Sequence, residues 1–328
     1  MKLEKICVIG AGAWGTALAQ AAAMAGREVV LMVRTSEHAA EINDHHLNNR
    51  ALGTQALSAT ITAQTTHPVA DCFILAVPAQ SSRAALGDID PDLLADKPVV
   101  LSAKGLETGT LQRQSEILAD MAPDAIPFVL SGPSFAADVA AGRPTAVTLA
   151  GDDADLTSAL AAALAGPGFR PYAADDRIGV ELAGALKNVY ALACGAVEGA
   201  NLGASARSAL LARAYAEMAR MVVAMGGSAT TLTGLAGLGD LTLSCTSSQS
   251  RNYQFGMALG RGEKLADILA RGAELAEGVA TTPVARALAH SLLVDAPLIS
   301  AVNQLLDGHA DITTIVAGLM ARPLKREE

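Results

Sequence analysis

Residues 180–197 read VELAGALKNVYALACGAV, apolar or small almost throughout, yet the run carries Lys187 with Asn188 directly behind it. An ammonium taken out of water is costly unless it is paired or can shed its proton. At helical spacing Gly184, Asn188, Ala191 and Gly195 share one stripe, with Lys187 beside Gly184. Small residues there let another backbone or a ligand come close. Glu181 and Glu198 lie too far along the helix to pair simply with the lysine. Two uses remain: a charge met by another segment, or a proton donor and acceptor.

Other segments supply chemistry that such a lysine could serve. Gly10, Gly12 and Gly15 in GAGAWG follow an apolar strand and open a helix, the pattern of a dinucleotide-binding turn. Such folds often place an acidic residue after the second strand for the ribose 2′-hydroxyl. Here Arg34 stands there, followed by Thr35 and Ser36, so a 2′-phosphate suits the site: NADP(H) is favoured and NAD(H) possible. Lys104 in SAKGLETGT sits at the carboxyl end of a predicted strand, where ligands bind in open α/β sheets. In SGPSFAADVAAGRPTAV the chain turns at Gly132-Pro133 and starts a helix near Ser134. The segment GLGDLTLSCTSSQSRNYQFG holds Asp240, which could orient a lysine, Ser244, and Ser250-Arg251-Asn252, a plausible phosphate clamp at a helix start. Hydride transfer to a carbonyl needs an acid near the oxygen, and that weights Lys187 toward proton transfer.

These residues need a scaffold. Short β-branched runs (KICVIG, EVVLMV, CFILAV, PVVLSA, IPFVLS, TAVTLA, FRPYA) alternate with helical stretches such as 13–25 and 37–47, which predicts a doubly wound, largely parallel α/β sheet of the Rossmann type. From about Arg177 the pattern turns to long Ala/Leu-rich helices, 179–199, 205–225, 252–260 and 282–293. The expectation is a dinucleotide-binding domain over 1–176 followed by an all-α substrate domain over 177–328. Between the long helices, GGSATTLTGLAGLGDLTLSCTSSQS is too long for a plain connection and should be functional or mobile.

With 51% hydrophobic and 17% charged residues, the 328-residue chain is globular in composition. A net charge of −9 argues against nucleic acid or an anionic membrane as partner. Cys7, Cys72, Cys194 and Cys245 show no ligand spacing and read as core residues in a reducing compartment; His45-His46 reads as a solvated pair, and no metal is expected. The opening apolar run is too short for a signal peptide, and no uncharged apolar run reaches the ~18 residues of a membrane span. A cytoplasmic location is the simplest expectation.

Taken together, GAGAWGTALA, SAKGLE, SGPSFAADVAAGRPTAV, GVELAGALKNVYALACG, GLAGLGDLTLSCTSSQSRN and AEGVATTPVA resemble, in order and spacing, the bacterial NAD(P)-dependent glycerol-3-phosphate dehydrogenase family. The resemblance implies reversible hydride transfer between NAD(P)H and dihydroxyacetone phosphate, giving sn-glycerol 3-phosphate for phospholipid synthesis. It makes Lys187 the general acid/base, with Lys104 against the substrate oxygens; like-charge repulsion from Lys104 would, on general grounds, favour proton release from Lys187. Asp240 orients the lysine pair. Gly132, Ser134 and Ser244 line the substrate, and Ser250, Arg251 and Asn252 hold its phosphate. For the cofactor it points, besides the glycines, to Ala13, Trp14, Arg34, Lys104, Ala136, Arg251, Leu275 and Glu277. Ser244 stands where Thr is common, Asp138 replaces a common Glu, and ALAEGV is a looser match. A homodimer is the expected assembly. A sibling 3-hydroxyacid or ketopantoate dehydrogenase, or a non-catalytic NADP(H) sensor, are the alternatives; neither has an evident use for both the phosphate clamp and the lysine.

Overall fold

The computed structural model describes residues 3–270, 276–324 and 326. The strands are β1 (Lys5–Ile9), β2 (Glu28–Met32), β3 (Ile61–Gln64), β4 (Cys72–Leu75), β5 (Pro98–Leu101), β6 (Ile126–Ser131), β7 (Thr145–Gly151) and β8 (Phe169–Ala174). They form a single sheet in the order β3-β2-β1-β4-β5-β6-β7-β8. In β1, Ile6 and Val8 join the hydrophobic cluster on one face while Cys7 and Ile9 join that on the other, the period of two that a sheet covered on both sides requires. The helices associated with the sheet are α1 (Ala13–Met24), α2 (Ser36–His45), α3 (Asn49–Leu52), α4 (Ser82–Gly87), α5 (Gln114–Met121), α6 (Ala136–Ala140) and α7 (Ala154–Leu164).

Two departures from the sequence reading have physical causes. Strand β3 was not expected: it is four residues long at the sheet edge, with Thr62 exposed, so no apolar run announces it. The sheet is mixed, because β7 runs antiparallel to β6. The connecting helix α6 has only five residues and packs on α1. At about 1.5 Å per residue it is too short to carry the chain back along β6. It also begins at Ala136, two residues after the predicted start near Ser134.

The second half is all helical: α8 (Arg177–Gly199), α9 (Ala204–Ala224), α10 (Asp240–Thr246), α11 (Arg251–Gly260), α12 (Leu265–Ala270), α13 (Glu277–Ser291), α14 (Pro297–Leu306) and α15 (Ile312–Met320). Helix α8 is its axis. Every residue from Gly179 to Val197 is buried, against α9, α10, α11, α13 and α14 and the end of β6. By length and composition α8 would pass as a membrane span, since Glu181 and Lys187 are diluted by alanine, but it is a core helix with its whole apolar window inside the fold. The Gly/Thr/Ser-rich segment is folded rather than open: a 3-10 turn (Ala229–Thr233) and a π-helical turn (Leu235–Gly239) lead straight into α10. All four cysteines are buried and free.

Candidate active site

The small-residue stripe on α8 serves two different ends. A Cβ on Gly195 or Gly199 would overlap the backbone of Tyr253 or Met257 in α11, and one on Gly256 or Gly260 would overlap the backbone of Leu192 or Ala196 in α8. Two reciprocal glycine pairs thus let these helices cross backbone to backbone. At that end the approach belongs to α11, not to a ligand. The crossing brings Ser250, Arg251 and Asn252, at the start of α11, alongside Asn188. Toward the other end, Gly184 faces the Ser131 hydroxyl and the stem of Lys104, leaving Lys187 at the mouth of the sheet crevice.

Lys187, 8% exposed, donates from Nζ to Asp240 Oδ1 and to Ser244 Oγ, both at 2.7 Å. Lys104, three residues beyond β5, donates to the other oxygen of the same carboxylate, Oδ2, at 2.6 Å, and to the Gly132 carbonyl at 3.1 Å. Gly132 holds φ at +152°, and a Cβ there would sit 2.8 Å from Val147 Cα, so the turn after β6 needs glycine to aim its carbonyl at the amine. Asp240 is fully buried as the first residue of α10, and Ser244 follows one turn later. Two ammoniums on one carboxylate leave the cluster net positive, suited to a small anion. Glu181 and Glu198 take no part: Glu181 binds Ser115 and Arg113, and Glu198 binds Arg207.

Burial pulls the Lys104 ammonium down to about 8; Asp240 resists the fall and Lys187 adds to it. For Asp240 burial works upward, but the two lysines outweigh it and hold the carboxyl below its ordinary range. Burial raises Glu277, against the Ala79 amide and the charges of Arg251, Lys187 and Lys104. Its carboxylate accepts from the Ala79 N–H at 3.4 Å.

A chain of carboxamides ties the site together. Asn188 donates to the Lys104 carbonyl and Asn252 donates to Asn188, each at 2.9 Å, and the Gly278 N–H donates to Asn252 at 2.9 Å. The Asn252 side chain thus joins α8 with α13 through its oxygen and one of its two N–H donors; the second N–H and the backbone amide at the helix start remain for an anion. Ser250 caps that helix by accepting from the Tyr253 N–H at 3.3 Å. Arg251 is exposed at the first position of α11.

Of the residues expected to hold a dinucleotide, Trp14 and Glu277 lie near the lysine cluster. Gly10 has φ +106°, a Cβ on Gly15 would overlap the Gly10 carbonyl, and one on Gly12 would meet nothing within 4 Å. The turn is tight where the loop packs and open where a phosphate would lie, so the loop fits a pyrophosphate. Ala13 begins α1, and the half-buried Trp14 carries its ring 5.9 Å from Lys104 Nζ. Trp14 Nε1 is buried with no partner among the described residues. Arg34 is exposed just beyond β2, Ala136 opens α6, and Ser134 turns its hydroxyl back onto the Gly132 carbonyl at 3.0 Å. Leu275 lies outside the described residues. Sequence reading missed Asn48 and the Glu181 contacts; both are polar groups buried by segments remote in sequence, a juxtaposition that spacing does not reveal.

Known proteins resemble this chain in sequence and in fold. The N-terminal domain of the NAD-dependent glycerol-3-phosphate dehydrogenase family matches residues 5–157, and its C-terminal domain matches 176–317. This chain belongs to that family. It is 50% identical to glycerol-3-phosphate dehydrogenase [NAD(P)+] of Caulobacter vibrioides over 330 residues, covering 100% of both chains. With the protein of that name from Parvibaculum lavamentivorans it shares 47% over 327 residues, 99% of this chain and 98% of the other. The crystal structure of glycerol-3-phosphate dehydrogenase from Coxiella burnetii superposes with a TM-score of 0.91 at 37% identity, covering 98% of this chain and 99% of that one. Family membership removes the sibling hydroxyacid dehydrogenases and the non-catalytic sensor as readings of this chain.

Proposed function

We propose the following roles for the site in the reaction of its family. The protein is an NAD(P)-dependent oxidoreductase that interconverts dihydroxyacetone phosphate and sn-glycerol 3-phosphate by hydride transfer. Bound nicotinamide supplies or receives the hydride. Lys187 protonates the carbonyl oxygen during reduction and takes the proton back during oxidation. The observation that carries this role is the pair of buried ammoniums on one carboxylate, Lys187 and Lys104 on Asp240, beside Trp14 of the glycine loop. Lys104 polarises the carbonyl and Asp240 keeps both amines aimed. Arg251 and the first amides of α11, capped by Ser250, take the substrate phosphate, with Gly132, Ser134 and Ser244 along its side. Glu277, Ala136 and Arg34 complete the cofactor side.

Arg34 favours NADP(H), with NAD(H) still accepted, because an exposed guanidinium suits a 2′-phosphate where an acidic residue would repel it. The four free buried thiols suit a reducing, cytoplasmic setting, and exposed Leu293, Met320 and Leu324 on the helical half suit a homodimer, which sedimentation would test.

Replacing Lys187 by Met tests the central role. Turnover of dihydroxyacetone phosphate should fall by roughly 10²–10⁴-fold, while NADPH still quenches Trp14, the one tryptophan of the chain. Wild-type turnover in that variant would overturn the assignment. Arg34→Ala should lose affinity for NADPH and leave that for NADH unchanged.

A further inference from the structure

Asn48 lies outside every motif of the sequence analysis, yet its side chain is fully buried against the glycine loop. Its Nδ2 donates to the Ala11 carbonyl at 3.0 Å and to Thr16 Oγ1 at 2.8 Å. Its Oδ1 meets His38 Nε2 at 3.1 Å. A carbonyl can only accept, so the amide nitrogen must face Ala11 and the amide oxygen must face His38, which fixes a proton on His38 Nε2. His38 sits in the first turn of α2, its own amide bonded to Thr35 Oγ1, four residues beyond Arg34.

The consequence for the loop follows from peptide geometry. In a trans peptide the C=O and the next N–H point in opposite directions. Pinning the Ala11 carbonyl inward therefore turns the Gly12 N–H outward, at an exposed residue whose surroundings are open. We infer that Asn48 is a positioning residue for the dinucleotide: it holds the Ala11–Gly12 peptide so that the Gly12 amide is presented to the pyrophosphate, and through His38 it couples that peptide to the helix behind Arg34. This rests on the dinucleotide reading above. Without the carboxamide the peptide could rotate, and the amide would have to be reoriented at each binding event.

The test uses the full chain and NADPH and NADH as probes, reading dissociation constants from Trp14 emission and, separately, kcat and KM. Asn48→Ala removes the pin; Asn48→Asp keeps the shape but sets a carboxylate against the Ala11 carbonyl. Both should weaken NADPH and NADH by roughly tenfold alike, with kcat at saturating cofactor and KM for dihydroxyacetone phosphate within about threefold of wild type. His38→Phe leaves the pin but frees its far end, and should weaken both nucleotides by about threefold. Unchanged dissociation constants, or a fall in kcat with unchanged dissociation constants, would overturn the inference. If the Asn48 variants fail to fold, His38→Phe decides it in the same way. A wild-type protein that quenched with neither nucleotide would instead bring down the dinucleotide reading itself.

Discussion

Lys187 and Lys104 are held apart by a single buried carboxylate, each on its own oxygen of Asp240. Asp240→Asn keeps the volume and removes the charge, leaving two ammoniums face to face. We expect a loss of about 3 kcal/mol in stability near neutral pH and a fall in kcat/KM of roughly a hundredfold. As pH rises the variant should regain part of its stability, because without the Asp240 charge Lys104 gives up its proton below about 8 and the repulsion is relieved. Urea unfolding at several pH values measures this.

The depressed Lys104 gives the free enzyme an alkaline limit. Its proton leaves near pH 8 in the fold rather than at the ordinary 10.5, so kcat/KM for dihydroxyacetone phosphate should decline above about pH 8 as the positive charge over the substrate is lost. For stability the sign is the reverse. Between pH 8 and 10.5 the unfolded chain holds the proton that the folded protein has released, so this group's contribution becomes more favourable as pH rises. Lys104→Arg should lower the rate and remove the decline near pH 8, since a guanidinium stays charged.

The glycine crossing predicts a split phenotype. Gly195→Ala and Gly256→Ala each push a methyl group into the facing helix backbone. Stability should drop by roughly 1–3 kcal/mol, and KM for dihydroxyacetone phosphate should rise as the start of α11 shifts. The NADPH dissociation constant should rise less than KM, since of the residues expected on the cofactor only Arg251 stands at that helix start. Calorimetry with substrate and cofactor titrations separates the three quantities.

Glu217 of α9 is buried, and it accepts from the Leu298 and Ile299 amides, each at 2.9 Å, at the start of α14. Burial lifts its carboxyl from an ordinary 4.5 to about 7, with the two amides resisting. Between those values the folded protein keeps a proton that the unfolded chain gives up. The associated stability is complete below about pH 4.5 and is lost as pH rises through 7. Glu217→Gln should flatten this part of the profile, seen as a melting temperature that changes less between pH 5 and pH 8.

Much of this is legible in the sequence alone. The glycine loop, the strand-end Lys104 and Asp240 all carry local signatures, because turn chemistry and strand ends are written in neighbouring residues. Lys187 was legible for the opposite reason, as a charge where packing alone would put leucine. What stayed hidden depends on partners from elsewhere. Nothing near Gly195 says that α11 rather than a ligand fills its groove, and nothing near Asn252 says that its carboxamide bridges Asn188 and Gly278. The antiparallel β7 was equally out of reach, since its direction follows from where the short α6 comes to rest.

Helix α8 has no face turned to water from Gly179 to Val197, and Lys187, the proposed acid and base, is one of its residues. The amine is consequently mounted on the least yielding piece of the molecule, where almost any inherited change would be felt by a neighbour on some side. Descendants of this protein that come to prefer another substrate should keep that helix nearly intact and diverge where α10 and α11 begin, the parts that reach the crevice from outside.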